Sequence, residues 1–226
     1  IEKIKNEQTG PIYKKIIEFL KKSGMETSII ETGIEKAENV IQKGIKSFVI
    51  YGEPQSGKTE VMIALTCKLV DLGFKTIFVV MNDNTELENQ NYIRFQSATQ
   101  LNPAPLRDFQ LADLEQSQLK QDRVRIIFCR KNSKNLQNLI ENCRYMRNRV
   151  VIDDEADFAS PDNKINKPGE ASKINQLVEK LITTKPRNDE NEGIYIGVTA
   201  TPGRLDLNNT FFNESKEWVF VDPYPG

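Results

Sequence analysis

The chain of 226 residues is longer than a typical domain and long enough to bury a full core without disulfide or metal staples. With 31 Lys+Arg against 32 Asp+Glu, its bulk charge selects neither a basic nucleic-acid coat nor an acidic tail. There is no histidine, which excludes imidazole metal sites, Ser-His-Asp and Cys-His nucleophiles and any histidine general base, so catalysis has to run on carboxylates, lysine, hydroxyls or backbone amides.

Ile12, Ile16, Phe19 and Leu20 predict one face of a first helix, stopped by Gly24. A second helix is expected from Ile34 to Lys43, with Ile34, Ala37, Val40 and Ile41 inward and Gly44 at its end. The period then changes. Ser47 to Tyr51 reads as a buried strand, Lys58 to Leu72 as a helix ended by Gly73, Thr76 to Val80 as a strand, and Glu86 to Phe95 as a helix. Ser97 to Gln121 lacks clear periodicity and reads as loop with one short helix. Arg125 to Cys129 is an expected strand, Lys134 to Met146 a helix with Leu136, Leu139, Ile140 and Cys143 on one face, and Arg149 to Asp153 a strand. Ala171 to Ile182 reads as a helix, Ile194 to Val198 as a strand, and Trp218 to Val221 as a last strand. Continuous apolar strands alternating with helices predict an α/β fold, a mostly parallel sheet with helices on both faces and ligands at the carboxyl ends of the strands.

Cys67, Cys129 and Cys143 are widely and irregularly spaced, without a CxxC pair, so neither a disulfide framework nor a zinc knuckle is expected and the setting reads as reducing and cytoplasmic. No apolar run reaches the roughly 18–20 residues that cross a bilayer, and no membrane partner is expected. A start at Ile1 reads as a processed chain or a piece of a longer one.

Gly52-Glu53-Pro54-Gln55-Ser56-Gly57-Lys58-Thr59 matches G-x-x-x-x-G-K-[ST], directly after an expected strand and opening an expected helix. Glycines in such a turn let successive amides, here including those of Gln55, Ser56 and Gly57, face phosphate oxygens, and the helix N-terminus adds its dipole. Lys58 is expected on the β- and γ-phosphates and Thr59 on Mg²⁺. The apolar strand Val150-Val151-Ile152 runs into Asp153-Asp154-Glu155-Ala156-Asp157, a concentration of like charge that calls for a cation. Nucleotide-borne Mg²⁺ fits, with Asp154 holding the metal and Glu155 orienting or deprotonating water. Thr199 and Thr201, in Val198-Thr199-Ala200-Thr201-Pro202, place two hydroxyls at another strand end.

In this order, with Thr85-Glu86-Leu87-Glu88-Asn89-Gln90 between the first two, the motifs resemble the first RecA-like domain of superfamily 2 helicases and translocases over about Ser47 to Pro202. The likeness implies a RecA-like P-loop NTPase with ATP as nucleotide, Thr85 and Gln90 near a nucleic-acid backbone, and hydrolysis coupled to a second RecA-like domain in the parent chain. DNA is expected ahead of RNA. A narrower similarity is to the Z1 domain of bacterial and phage proteins, carried by Gln55–Thr59, Asp153–Ser160, Ser172–Asn175 and Tyr195–Pro202. It implies a restriction or phage-defence context, with a nuclease or defence partner. The chain departs from the helicase pattern in lacking an aromatic-plus-Gln adenine reader, an arginine finger and room after Pro202 for a second lobe, so weak or absent turnover is expected without that lobe. Residues 1–45 read as a helical accessory segment and 46–226 as the nucleotide-binding domain.

Arg123, Arg125, Arg130, Lys131 and Lys134 cluster about one strand, and Arg130 and Lys131 are candidate phosphate-backbone contacts. Asp162, Glu170 and Lys173 have the wrong spacing for a nuclease triad, and Trp218 with Phe211 and Phe212 reads as packing. The competing reading is a nucleotide-gated switch or scaffold that does no work on nucleic acid, favoured by the near-neutral charge.

Overall fold

The structure, a computed structural model, describes residues 11–52, 57–98, 103–119, 123–156, 173–184, 193–200 and 218–220. Among the described residues seven strands form one sheet: β1 (Ser47–Tyr51), β2 (Thr76–Met81), β3 (Leu106–Arg107), β4 (Arg125–Arg130), β5 (Arg149–Asp154), β6 (Ile194–Thr199) and β7 (Trp218–Phe220). Their spatial order is β3-β4-β2-β5-β6-β1-β7, and every pairing is parallel. The helices are α1 (Pro11–Lys22), α2 (Ser28–Gln42), α3 (Lys58–Asp71), α4 (Thr85–Ser97), α5 (Gln116–Leu119), α6 (Ser133–Cys143) and α7 (Lys173–Thr183), with a 3₁₀ turn at Asp108–Asp113.

The two-residue period of the strands divides the core. Phe48, Ile77, Val79, Phe128, Ile152 and Ile196 face one side, where they meet apolar residues of α1 to α4. Phe78, Val80, Ile127, Val151 and Tyr195 face the other, against Leu136, Leu139 and Cys143 of α6 and Leu177, Val178 and Leu181 of α7. Burial on both faces explains the uninterrupted apolar runs: all six residues of β2, β5 and β6 are buried. The expected α/β class with helices on both faces is the observed one.

The N-terminal helices share the first of these cores. The Asp71 carboxylate at the end of α3 accepts from the backbone N–H groups of Ile12 (3.3 Å) and Tyr13 (2.8 Å), satisfying donors that the first turn of α1 leaves open. Lys68 of α3 pairs with Glu38 of α2 at 2.8 Å and sits over the Tyr13 ring.

Three local expectations change. Phe19 is 45% exposed, because the buried stripe of α1 runs through Tyr13, Ile16, Ile17 and Leu20 and Phe19 lies beside it. α2 begins at Ser28 rather than Ile34. Gly33 suggests a break, yet its helix-interior cost of about 1 kcal/mol is outweighed by burying Ile30, Ile34 and Ala37, and Thr27 donates to Glu31 at 2.6 Å across the first turn. The stretch read as loop holds β3, the 3₁₀ turn and α5; at two residues β3 is too short to show a period.

Arg149 braces the amino end of the sheet. Buried at the start of β5, it donates to the carbonyls of Met146 (3.0 Å), Leu181 (2.9 Å) and Cys143, closing the ends of α6 and α7 with one guanidinium.

Candidate functional site

The motifs gather at the carboxyl ends of β1, β6 and β5, three neighbours in the sheet. β6 joins the other two through its own backbone: the Thr199 carbonyl accepts from Gly52 N–H at 3.1 Å and the Val198 carbonyl from Ala156 N–H at 3.1 Å. Gly52 after β1 and Ala156 after β5 are therefore both tied to one strand. Thr199 is fully buried at this junction, while Thr201, Gln55 and Ser56 lie outside the described residues, as do Asp157, Asp162, Glu170, Phe211 and Phe212.

Gly57 caps α3 in the left-handed conformation, φ 71°, a geometry that glycine adopts without a Cβ penalty. Lys58 and Thr59 then open the helix, where free amides and the helix dipole face the strand ends. The Thr59 hydroxyl donates to Asn91 of α4 at 3.0 Å, and Arg94, one turn further along α4, pairs with Glu60. α4 thus contacts the first turn of the helix that opens the phosphate motif.

The acidic turn is differentiated residue by residue. Asp153 is 3% exposed and points to the α6–α7 side, where it pairs with Lys131 at 3.0 Å and accepts from the Tyr195 hydroxyl at 3.0 Å. Burial and the Asp153 carboxylate hold the Tyr195 phenol well above its ordinary range. Gly197 makes that contact possible: a Cβ there would meet Ala156 Cβ at 2.9 Å and the Tyr195 hydroxyl at 3.2 Å. Asp154, one residue on, faces the phosphate motif. Burial pushes its carboxyl up to about 6, with the Lys58 ammonium pulling the other way. Glu155 takes a left-handed backbone, φ 51°, and its carboxylate accepts from the Asn82 amide at the end of β2. Lys131 stabilises this turn, its ammonium donating to the carbonyls of both Asp154 and Glu155 at 2.9 Å.

Lys131 does not meet the expectation of a phosphate-backbone contact. It is 7% exposed, and its ammonium is engaged by three acceptors inside the protein. Arg125 is likewise buried, donating to the Arg123 and Gln118 carbonyls. Arg130 remains at the surface. Its guanidinium donates to the Thr85 hydroxyl at 3.0 Å and lies 3.7 Å from Asp83, so the strand end of β4 and the start of α4 meet there. Gln90 is exposed on the same helix. Beside this edge lies a cavity of about 480 Å³ lined by Thr85, Arg107, Phe109, Arg130 and Asn138, with Phe109 64% exposed.

Tyr195, Gly197, Asn82 and Asn91 escaped the reading of the sequence as site residues, and Lys131, expected on nucleic acid, instead holds the acidic turn. Each becomes part of the site through contacts between elements: across strands for Asn82, Lys131, Tyr195 and Gly197, and between α3 and α4 for Asn91. The available signal was position: Asn82 and Lys131 each directly follow a strand whose end faces the acids.

The sequence comparison supplies the family: the ResIII family, type III restriction enzyme, res subunit, matches residues 12–204. The chain belongs to the ResIII family. Among solved structures, this ResIII chain is similar to the DUF1998 helicase MrfA bound to DNA and AMPPNP, with 14% identity and a TM-score of 0.57 over 96% of this chain and 29% of that one. It is also similar to the same helicase bound to DNA, with 15% identity and a TM-score of 0.59 over 96% and 28%. The helicase domain of Pyrococcus furiosus Hef matches at 14% identity over 83% of this chain and 38% of that one, with a TM-score of 0.47. At these identities the likeness is one of fold, and the ResIII chain spans less than a third of the length of MrfA. No curated protein sequence matches it.

Proposed function

We propose that this ResIII chain is the ATP-binding lobe of a nucleic-acid-dependent ATPase. The observation that carries the reading is the convergence of the two motifs at one end of the sheet: Lys58 heads the helix of the phosphate motif, the buried Asp154 ends β5, and β6 between them holds Gly52 and Ala156 by backbone hydrogen bonds. A carboxyl that burial raises to about 6 against the pull of Lys58 and Lys131 is stabilised as an anion by any further cation brought to it.

The residues fit Mg²⁺ carried in on a nucleotide. Among the described residues there is no cluster of three acidic or sulfur side chains that would hold a metal alone. A nucleotide-borne Mg²⁺ needs only one or two protein oxygens, the rest coming from phosphates and water. Thr59 and Asp154 are the residues that would hold it, and its chemistry there is neutralisation of phosphate charge. The amides from Gln55 to Gly57 cradle the phosphates, Lys58 reaches the β- and γ-oxygens, and Glu155 takes the proton of the attacking water. Thr59 turns from Asn91 to serve, which links nucleotide arrival to α4. Thr199 at the end of β6, with Thr201 after it in sequence, carries the change of phosphate state into the sheet.

Nucleic acid is the proposed macromolecular partner, DNA ahead of RNA, in keeping with the DNA-bound helicases of similar fold. Thr85 and Arg130, which meet at the surface, would follow its backbone, with Gln90 as a further contact along α4. Residues 46–226 act as the motor lobe, with 1–45 as an accessory helical layer, and a second RecA-like lobe in the parent chain supplies the rest of the catalytic surface. The family supports a restriction setting with a nuclease partner, and the Z1-like segments fit a phage-defence role. The test is ATP turnover by the full-length protein with Mg²⁺, with and without single- and double-stranded DNA and RNA. Stimulation is the expected result; a rate indifferent to every nucleic acid would replace the motor with the nucleotide-gated switch.

A further inference from the structure

Two dipeptides at neighbouring strand ends share one arrangement. After β2, Asn82 donates to the Glu155 carboxylate while Asp83 turns outward, half-exposed, to accept from Asn132 at 3.1 Å and to face Arg130. At the end of β4, Lys131 holds the backbone of the same acidic turn while Arg130 turns outward to Thr85 and Asp83. One member of each pair is on the catalytic turn and the other is on the exposed edge.

The sheet order gives this a direction. β2 and β6 flank β5 on opposite sides, and the phosphate motif lies beyond β6 on β1. A Glu155 side chain bound to Asn82 is drawn toward β2, away from the strand that carries Lys58 and Thr59. Its backbone cannot follow a wandering side chain, because Lys131 fixes the Asp154 and Glu155 carbonyls. What stays free to move is the Glu155 side chain, which here lies on Asn82.

We propose that Asn82 is a positioning residue that restrains Glu155, and that occupation of the Asp83–Arg130–Thr85 edge by a nucleic-acid phosphate releases it. The inference rests on the motor reading above and deepens it. An incoming phosphate competes with Asp83 for the Arg130 guanidinium and repels the Asp83 carboxylate. Asp83 shifts, and Asn82, its chain neighbour, shifts with it. The phosphate thereby favours the arrangement in which Glu155 is free, which is the differential interaction any such coupling needs.

The experiment measures ATPase kcat and KM of the full-length protein, wild type against Asn82→Ala and the near-isosteric Asn82→Asp, with and without a single-stranded DNA oligonucleotide, alongside thermal melts. Both variants are expected to raise kcat without DNA by about tenfold at unchanged KM, and to lose DNA stimulation by the same factor. A DNA-free kcat that is unchanged or reduced in a natively melting variant overturns the restraint; should Asn82→Ala fail to fold, Asn82→Asp decides the same point. Failure of the motor reading looks different: the wild type is then indifferent to nucleic acid, and the DNA-free comparison still decides whether Asn82 restrains Glu155.

Discussion

The nucleotide side of the sheet and its Thr85–Arg130 edge differ in how far their candidate site residues are exposed. On the β5–β6–β1 side, Asp153, Asp154 and Thr199 are buried and held within the protein. On the β3–β4–β2 side, Thr85 is exposed and Arg130 partly so beside a cavity, and Gln90 is exposed further along α4. The difference follows from what each half would meet. A small, highly charged ligand needs preorganised, desolvated groups, where charge interactions are strong. A long polyanion is met by solvated groups at a surface and is released by salt.

The largest expected effect breaks the comparison on its buried side. Glu155→Gln should lower kcat of the full-length protein by about 10²–10⁴-fold while leaving nucleotide affinity near wild type. Lys58→Ala should weaken affinity itself, as read by titration with a fluorescent ATP analogue. Equal loss of binding in both would move the general base elsewhere.

Next is a change at the opposite end of the sheet. Arg149→Met leaves the carbonyls of Cys143, Met146 and Leu181 without their donor, and urea unfolding should show a loss of about 3 kcal/mol. If the amino end is scaffold alone, the protein that remains folded binds nucleotide normally.

A smaller effect runs the other way. The folded Asp154 carboxyl is raised from 3.8 to about 6, so the fold favours its neutral form. The stability tied to that preference is present below the unfolded value and is lost as pH rises through about 6. Well above it, the protein bears a buried charge that asparagine lacks. Asp154→Asn should therefore stabilise the protein in the absence of nucleotide by about 2 kcal/mol in alkaline buffer, with the gain shrinking as pH falls through 6 and nucleotide-induced stabilisation abolished. Thermal melts across pH, with and without Mg-ATP, read both.

The smallest expected effect sharpens the exposed side. Arg130→Ala should reduce nucleic-acid affinity by about threefold to tenfold and lower the salt slope by about 1, leaving nucleotide binding intact. The equivalent change at Lys131 should not touch the salt slope, since its ammonium never meets solvent phosphate.

The same division governs what could be read in advance. The phosphate motif, the acidic turn and the strands that carry them were legible because each is contiguous in sequence. β1 begins and ends where it was expected. Contacts across strands were not legible: nothing local distinguishes Lys131, buried on three acceptors, from Arg130, exposed beside it. Tyr195 and Gly197 stand in a segment that carries the family resemblance, but their joint role needs the register that sets Gly197 opposite Asp153. The edge from Leu106 to Leu119 stayed dark because its pieces, of two, six and four residues, are too short for a pattern to repeat.

Cys67, Cys129 and Cys143 all lie within the two cores, and burial pushes the Cys67 and Cys143 thiols up to about 12, with Cys129 also well above its usual range. Thiolate is the species that maleimides attack, so the native chain offers a silent background for alkylation. A single cysteine placed at Phe109 would take a fluorophore alone, with no natural thiol to remove first, and would report directly on the cavity beside Arg130.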